Sequence, residues 1–180
     1  MATVKRRCTA YLSVGSNLGD KLDNCLKGIH ALTAAGESEI QACSRFYRTS
    51  PVDYTDQAWF VNAAVEIGTS LGPTDLLKQL IAIQRKMGRE ADAVRFGPRI
   101  LDLDILLYDD CIIHTQTLEI PHPRMHKRLF VLQPICDINP TIIHPVMGKS
   151  AADLLASLED DGQQIIPMQN QPELVEGRMA

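Results

Sequence analysis

Side chains that could carry chemistry are concentrated in residues 95–107, where two aspartates follow a group of arginines. Asp102 and Asp104 are separated by a single leucine. On a β-strand, residues two apart share a face, and their Cα atoms lie roughly 7 Å apart. Two carboxylates at this spacing suit Mg²⁺, which takes one or two protein carboxylates together with substrate phosphates. The pair is therefore consistent with a magnesium site, and a solvated strand face is the structural alternative.

Basic residues immediately precede the acidic pair. Five of them fall within fifteen residues: Arg85, Lys86, Arg89, Arg95 and Arg99. Phosphoryl transfer needs cations beside a carboxylate-bound metal ion, because charge on the phosphate oxygens must be neutralised and positioned. The same arginines could instead form structural ion pairs with the aspartates. The residues alone favour these two interpretations equally.

The sequence lacks the motifs of standard kinases and zinc sites. Gly148-Lys149-Ser150 is similar to the end of a P-loop, but Ile143 occupies the position of the required upstream glycine. No G-x-G-x-x-G pattern occurs. His122 and His126 are four residues apart, yet Pro123 and the lack of a third clear ligand argue against zinc.

The elements that must position the acidic pair follow a regular order. Hydrophobic periodicity and turn residues predict strand, helix, strand, strand, helix, strand. This order is the split βαβ pattern of α+β folds with a ferredoxin-like βαββαβ core. On the last strand, Leu101, Leu103, Ile105 and Leu107 alternate with the acids and are predicted to face the core. The predicted elements cover residues 9–14, 22–36, 39–47, 59–67, 73–88 and 100–108.

Additional strand and helix elements are expected after this core. The pattern predicts a short helix after Phe130, a strand near residues 142–143 and a helix that begins at Ser150, where Asp153 completes a capping box. Residues 169–180 show no periodicity and are predicted to be a flexible tail. Residues 1–168 are therefore interpreted as a single domain.

Composition narrows the class of protein. The chain has 180 residues, a net charge of −4 and a pI near 5.7, which argues against a general nucleic-acid binder. Five scattered cysteines form no C-x-x-C pair, so reduced thiols are expected. No run approaches the ~20 apolar residues of a membrane span, and no apolar signal core follows the N-terminus. We expect a cytoplasmic protein that contacts neither membrane nor nucleic acid.

Six blocks, in order, resemble the hydroxymethyldihydropterin pyrophosphokinase (HPPK) family. They span roughly residues 9–160, and the block at residues 95–106 is similar to the family signature. The others are residues 15–20, 46–51, 60–65, 88–89 and 121–132. The resemblance implies a monomeric, ferredoxin-like enzyme of folate biosynthesis that uses ATP and two Mg²⁺ ions. In such an enzyme a pterin hydroxyl attacks the β-phosphorus of ATP, and AMP leaves.

The resemblance also implies roles for individual residues. Asp102 and Asp104 would hold magnesium, and they would form the catalytic set with Arg89 and Arg99. Although the pattern alone favours core positions for the phenylalanines, the pterin would bind to Thr49, Ser50, Pro51, Val52, Phe60, Asn62 and Phe130. ATP would bind to Gln84, Arg89, Arg95, Arg99, Ile105, His122 and Arg128.

Three positions depart from the family pattern: Gln84 replaces a frequent glutamate, Ala91 a basic residue, and Phe96 a tryptophan. None removes a metal ligand or a stacking ring. Two other classes remain as alternatives on the same fold. One is a phosphate-binding hydrolase that uses water as the acceptor, and the other is a non-catalytic RNA-binding module. The latter would need a basic surface with exposed aromatic residues on its central strands.

Overall fold

The structure, a computed structural model, describes residues 7–52, 55–88, 97–159 and 162–169, together with Leu174. Within these residues the strands are β1 (Cys8–Ser16), β2 (Ser38–Cys43), β3 (Tyr47–Thr49), β4 (Phe60–Thr69), β5 (Asp102–Tyr108), β6 (Ile113–His114), β7 (Glu119–Ile120) and β8 (Ile165–Pro167). The α-helices are α1 (Lys21–Thr33), α2 (Pro73–Lys86), α3 (Leu129–Ile138) and α4 (Ala151–Ala156), and a 3-10 helix covers Met125–Lys127. The fold is thus mixed α and β.

The strands form one main antiparallel sheet. Its order is β5-β1-β4-β3-β8, and β2 also pairs with β4, beside the end of β3. β6 and β7 form a separate two-stranded sheet. The register places Gly15 opposite Asp102 on one side and opposite Asn62 on the other. The central strand β1 therefore connects the acidic pair with the neighbouring strand β4.

Two hydrophobic clusters cover the two faces of this sheet. On one face, α1 and α2 pack on alternate residues of β1, β4 and β5. On the other face, α3 and α4 pack on Tyr11, Ala64, Leu106 and Leu107. Because both faces are covered, burial is nearly continuous along β1 and β4, as expected for central strands.

The predicted helix ends are set by local caps. Asp20 accepts a hydrogen bond from the Asp23 N–H (3.1 Å) at the start of α1. Gly88, with a φ of +99°, follows α2 in the left-handed region that glycine favours. Ser150 and Asp153 form the predicted capping box of α4.

Leu107 is buried as predicted, but it lies on the other face of the sheet from Leu103 and Ile105. β5 carries a bulge: Leu12 pairs with Ile105, whereas Tyr11 pairs with Leu107, so Leu106 is the extra residue. An extra residue reverses the alternation of faces beyond it. Leu107 therefore packs on the α3 side of the sheet, while Leu103 and Ile105 face α1 and α2 as predicted.

Two other predicted strands differ in the structure. The single strand expected at residues 39–47 is divided into β2 and β3, because the Ser44 hydroxyl accepts the Ala64 N–H (2.9 Å) where the ladder would continue. The strand expected near residues 142–143 is only an isolated bridge between Ile143 and Ser150. Strand β8 was not predicted. Most of the proposed tail lies outside the described residues, although Leu174 is partly buried against the main core.

In the part of the chain that the structure describes, no helix is long and apolar enough to cross a membrane.

Candidate functional site

A pocket opens where the ends of β1, β3, β4 and β5 meet the start of α3. Residues from several separate parts of the chain line it. The lining residues are Ser13, Gly15, Thr49, Ser50, Val52, Gln57, Phe60, Asn62, Gly97, Arg99, Asp102, Asp104, His122, Arg124, Arg128 and Phe130.

One end of the pocket, the acidic end, is formed by Arg99, Asp102 and Asp104. The two carboxylates lie on β5, opposite Gly15 and Ser13 of β1, so only small side chains face them across the strand pair. Arg99 Nη1 lies 2.6 Å from Asp102 Oδ2, with side-chain exposures of 17% and 23%. This partly buried ion pair sets the direction of the arginine beside the carboxylates.

Asn17 fixes the backbone of Arg99. The Asn17 N–H donates to the Arg99 carbonyl (3.0 Å), and the Arg99 N–H donates to Asn17 Oδ1 (2.7 Å). Asn17 Nδ2 donates to Gln57 Oε1 (2.9 Å) and to the Ala58 carbonyl (3.3 Å). Asn17 is only 1% exposed, so this amide rigidly joins the acidic end to the loop before β4.

His122 lies beside the acidic end as a neutral imidazole. Burial lowers its pKa to about 4, and the nearby charges of Arg128 and Arg124 act in the same direction. Its Nδ1 accepts the Arg124 N–H at 3.1 Å, so the proton is on Nε2. His122 can therefore donate one hydrogen bond at neutral pH without adding charge.

A second group of lining residues, the ring end, comprises Thr49, Ser50, Val52, Phe60, Asn62 and Phe130. Phe60 begins β4, and Phe130 lies in the first turn of α3 with the Arg128 guanidinium 5.3 Å from its ring centre. Asn62 Nδ2 donates to Thr49 Oγ1 at 2.7 Å, which fixes the orientation of the buried amide. Two phenyl rings and a fixed amide are suited to a flat, hydrogen-bonding heteroaromatic ring.

Gly15 provides the space for this amide. A Cβ atom at Gly15 would lie 2.4 Å from Asn62 Oδ1, which is closer than atoms can approach without displacement. Gly15 also pairs with Asp102, so the absence of a side chain at Gly15 leaves space beside both Asn62 and Asp102. In the sequence Gly15 stood out only as part of the block at residues 15–20, and its contact with Asn62 depends on the pairing of distant strands.

The pocket brings together most residues that the sequence had singled out: Thr49, Ser50, Val52, Phe60, Asn62, Arg99, Asp102, Asp104, His122, Arg128 and Phe130. Pro51 lies between two lining residues. Arg89 and Arg95 lie outside the described residues. Lining residues that were not predicted are Ser13, Gly15, Gln57, Gly97 and Arg124.

Gln84 and Ile105 are in the core, away from the pocket wall. Ile105 is 4% exposed because strand alternation directs it toward α1 and α2, opposite the acids. Gln84 is 3% exposed and bonds to the backbone of Leu103: Oε1 accepts its N–H (3.3 Å), and Nε2 donates to its carbonyl (3.4 Å). The predicted roles of Gln84 and Ile105 in ATP binding stay predictions. Through its bonds to Leu103, Gln84 anchors β5 between the two aspartates.

Comparison with known sequences points to one family. The family model described as 7,8-dihydro-6-hydroxymethylpterin-pyrophosphokinase (HPPK) matches residues 11–140. A Bacillus subtilis 2-amino-4-hydroxy-6-hydroxymethyldihydropteridine pyrophosphokinase is 45% identical over 129 residues, covering 72% of this chain and 77% of its own. The protein of the same name from Methylorubrum extorquens is 38% identical over 153 residues, covering 85% and 95%.

Other relatives are much longer. A folic acid synthesis protein of Dictyostelium discoideum is 43% identical over 152 residues, which cover 84% of this chain but only 23% of that protein. Among solved structures, a Plasmodium falciparum HPPK-DHPS chain superposes with a TM-score of 0.67 at 17% identity, covering 86% of this chain and 46% of that one. This chain therefore spans about a quarter to a half of the length of these longer relatives, and the superposition supports the mixed α and β fold.

Proposed function

The chain belongs to the HPPK family, and from this premise we propose that it transfers a pyrophosphoryl group from ATP to 6-hydroxymethyl-7,8-dihydropterin in folate biosynthesis. One observation carries the proposal: a single pocket is lined both by two carboxylates with an arginine and by two phenyl rings with a fixed amide. The hydroxyl oxygen of the pterin would attack the β-phosphorus. The bond from that phosphorus to the α–β bridging oxygen would break, AMP would leave with that oxygen, and the hydroxyl proton would be released.

The ring end would bind the pterin. Phe60 and Phe130 would contact the two faces of the ring, in the offset stacking that heteroaromatics favour. Asn62, held by Thr49, would present its remaining hydrogen-bonding capacity to the edge of the ring. The backbone at Ser50, Pro51 and Val52 would contact the same edge.

The donor set at the acidic end fits magnesium. Among the described residues, no group of three or more His, Cys, Asp or Glu side chains could hold a metal ion. Asp102 and Asp104 face only a glycine and a serine on β1. A metal ion bound to these two carboxylates would keep positions for phosphate oxygens and for water, and Mg²⁺ usually retains several water ligands. Bound there by Asp102 and Asp104, two Mg²⁺ ions would supply charge neutralisation on the phosphate oxygens.

Arg99, His122 and Arg128 would hold the triphosphate of the co-substrate ATP. Arg99 contributes a permanent charge beside Asp102, and neutral His122 contributes a donor at Nε2. For Arg89 and Arg95, roles on the same phosphates rest on the family resemblance.

We also propose a ferredoxin-like classification for the core. Its chain order is β1, α1, β2, β4, α2, β5, and the spatial order β5-β1-β4-β2 supports that class, with β3 and β8 added beside β4. A single domain over residues 1–168, a monomeric state and a cytoplasmic location are part of the same proposal. Five free cysteine thiols support a reducing compartment.

Analysis of the nucleotide product tests the function. The protein is incubated with ATP and Mg²⁺, with or without 6-hydroxymethyl-7,8-dihydropterin, and nucleotides are separated by chromatography. We expect AMP only when the pterin is present. ADP as the main product would indicate an ordinary kinase, and phosphate release without pterin would indicate the hydrolase alternative. The family match favours the pyrophosphokinase over both the hydrolase and the RNA-binding module.

A further inference from the structure

The segment after α4 returns to the pocket and contacts one wall of the ring end. β8 pairs with β3, which places Ile165 opposite Thr49. Just before β8, the Gln164 N–H donates to Ser50 Oγ (2.8 Å), and the Ser50 N–H donates to the Gln164 carbonyl (3.0 Å). These reciprocal bonds fix the backbone of the wall that begins at Thr49.

The preceding residue, Gln163, contacts the other wall. Its Oε1 accepts the Leu129 N–H at 2.9 Å, and its Nε2 donates to the Lys127 carbonyl at 3.2 Å. One side-chain amide thus binds the backbone on both sides of Arg128. Helix starts leave their first N–H groups without partners, and Arg128, the N-cap residue of α3, makes no side-chain capping bond. Gln163 supplies that cap from a distant part of the chain.

We propose that Gln163 is a positioning residue for the ring end of the pocket. Gln163 and Gln164 are consecutive, so the walls at Ser50 and at the start of α3 are joined through one peptide unit. Phe130 is two residues after Arg128, in the first turn of α3, and its position depends on where that helix begins. Removing the amide would free the Arg128–Phe130 wall while leaving the Ser50 wall in place.

Nothing in the family match assigns this role, because the matched region ends at residue 140. The role rests on the proposed function, since the ring end is taken to bind the pterin. Gln163 is not among the residues that line the pocket, and we expect it to act through the backbone of residues 127–129. It should therefore influence pterin binding more than the chemical step.

Substitution of Gln163 in the full-length chain tests the proposal. Gln163→Met keeps the length of the side chain and removes both hydrogen bonds. Gln164→Met is the matched control, because the bonds from Gln164 to Ser50 use main-chain groups that the substitution retains. Gln163→Glu keeps an acceptor for the Leu129 N–H but loses the donor to Lys127. Pterin KM and kcat are measured at saturating ATP, with AMP as the product followed.

For Gln163→Met we expect pterin KM to rise roughly three- to tenfold, the size typical of one or two lost hydrogen bonds. We expect kcat to change less than about twofold, Gln163→Glu to be intermediate, and Gln164→Met to match the wild type. A partly unfolded variant would lower apparent kcat but not raise KM, which separates positioning from simple destabilisation. If Gln163→Met cannot be obtained folded, Gln163→Glu alone decides the question by its KM.

An unchanged pterin KM in the folded Gln163 variants would overturn the positioning role while leaving the proposed function intact. An equal rise in Gln164→Met would also overturn it, because the effect would then not depend on the capping amide. Wild-type protein that forms no AMP from ATP and the pterin would overturn the proposed function, and this inference with it. The wild-type measurement alone identifies that case.

Discussion

The two ends of the pocket are built in different ways. The acidic end takes Arg99, Asp102 and Asp104 from one short stretch that enters the central sheet. The ring end takes Thr49, Phe60 and Phe130 from three separate segments, and the strand that supports it lies more than one hundred residues after Thr49. A local segment thus carries the charges, whereas long-range packing forms the ring end.

This difference has an energetic consequence. In the proposed function, each group at the acidic end would act through charge in a partly buried site, and charge stabilisation of a transition state concerns mainly the rate. Each group at the ring end would act through contact area and orientation, which concern mainly affinity. Mutations at the two ends should therefore divide between turnover and pterin binding.

The largest effect is expected from Asp104. Asp104→Ala should lower turnover at least ~100-fold, because a magnesium ligand at the transferred phosphate would be lost. Pterin binding without ATP should stay within about twofold of the wild type, since the ring contacts lie at the other end. Single-turnover rates and pterin titrations measure the two quantities.

Asp104→Asn is the matched control for this change, because it keeps the size of the side chain and removes only the charge. Asp102→Ala is less direct, since it would also leave Arg99 without the carboxylate that it pairs with. A folded Asp104→Ala protein with near-normal turnover would end the magnesium-site hypothesis. It would also remove the proposed division between the two ends.

The second prediction addresses the ring end. Phe130→Ala should weaken pterin binding by about 1–3 kcal/mol, from lost contact area and ring stacking. Turnover at saturating pterin should fall far less than in Asp104→Ala. Phe130→Tyr, which retains an aromatic ring, serves as the control. If Phe130→Ala instead lowers thermal stability cooperatively with unchanged pterin affinity, the ring is a core residue and the comparison fails.

The same division explains which parts of the site could be predicted from sequence. The shared direction of Asp102 and Asp104 follows from strand periodicity, and the structure places both in the pocket. Periodicity could not reveal the bulge at Leu106, because a bulge depends on pairing with β1. The bonds of Gln163 to residues 127 and 129 depend on the return of β8, which has no signal beyond three apolar or proline residues.

Phe60 and Phe130 illustrate the limit most clearly. Their local patterns resemble those of core residues, and only the resemblance to a family suggested a shared site. A phenylalanine at the start of a strand and one in the first turn of a helix give no local sign that they line the same pocket. Their place in one pocket is a property of the tertiary fold.

The third prediction concerns Asn17, which joins the acidic end to the loop before β4. Asn17→Ala would remove its side-chain hydrogen bonds from a buried position, so we expect a loss of about 2 kcal/mol in the free energy of unfolding. Turnover and pterin affinity should both decline, unlike in the two variants above. Asn17→Asp keeps the acceptor for the Arg99 N–H and loses the donors to Gln57 and Ala58.

Denaturant unfolding and steady-state kinetics measure these effects together. One outcome for Asn17→Asp is retained turnover with a raised pterin KM. That result would mean that Asn17 Oδ1 supports the acidic end and that Asn17 Nδ2 supports the ring end. Loss of turnover alone, with normal pterin affinity and stability, would show that Asn17 serves only the acidic end.

The smallest effect is expected from the titration of His122. Its pKa is about 4 in the folded protein, below the ordinary value of 6.5. Between these values the unfolded chain binds more protons than the folded one, so stability must fall as pH decreases from about 6.5 toward 4. Above pH 6.5 the contribution vanishes. From pH 7 to pH 5 we expect this residue to account for a loss of about 1–2 kcal/mol.

His122→Asn isolates this contribution, since its side-chain oxygen can still accept the Arg124 N–H but does not titrate. Unfolding by urea with a metal chelator present, at several pH values, should give a shallower acid dependence for the variant than for the wild type. Equal slopes would mean that His122 titrates normally, and it would then carry a charge near pH 6. The acidic end would in that case contain a pH-dependent cation, and turnover would follow the protonation of His122 as well as the fixed charge of Arg99.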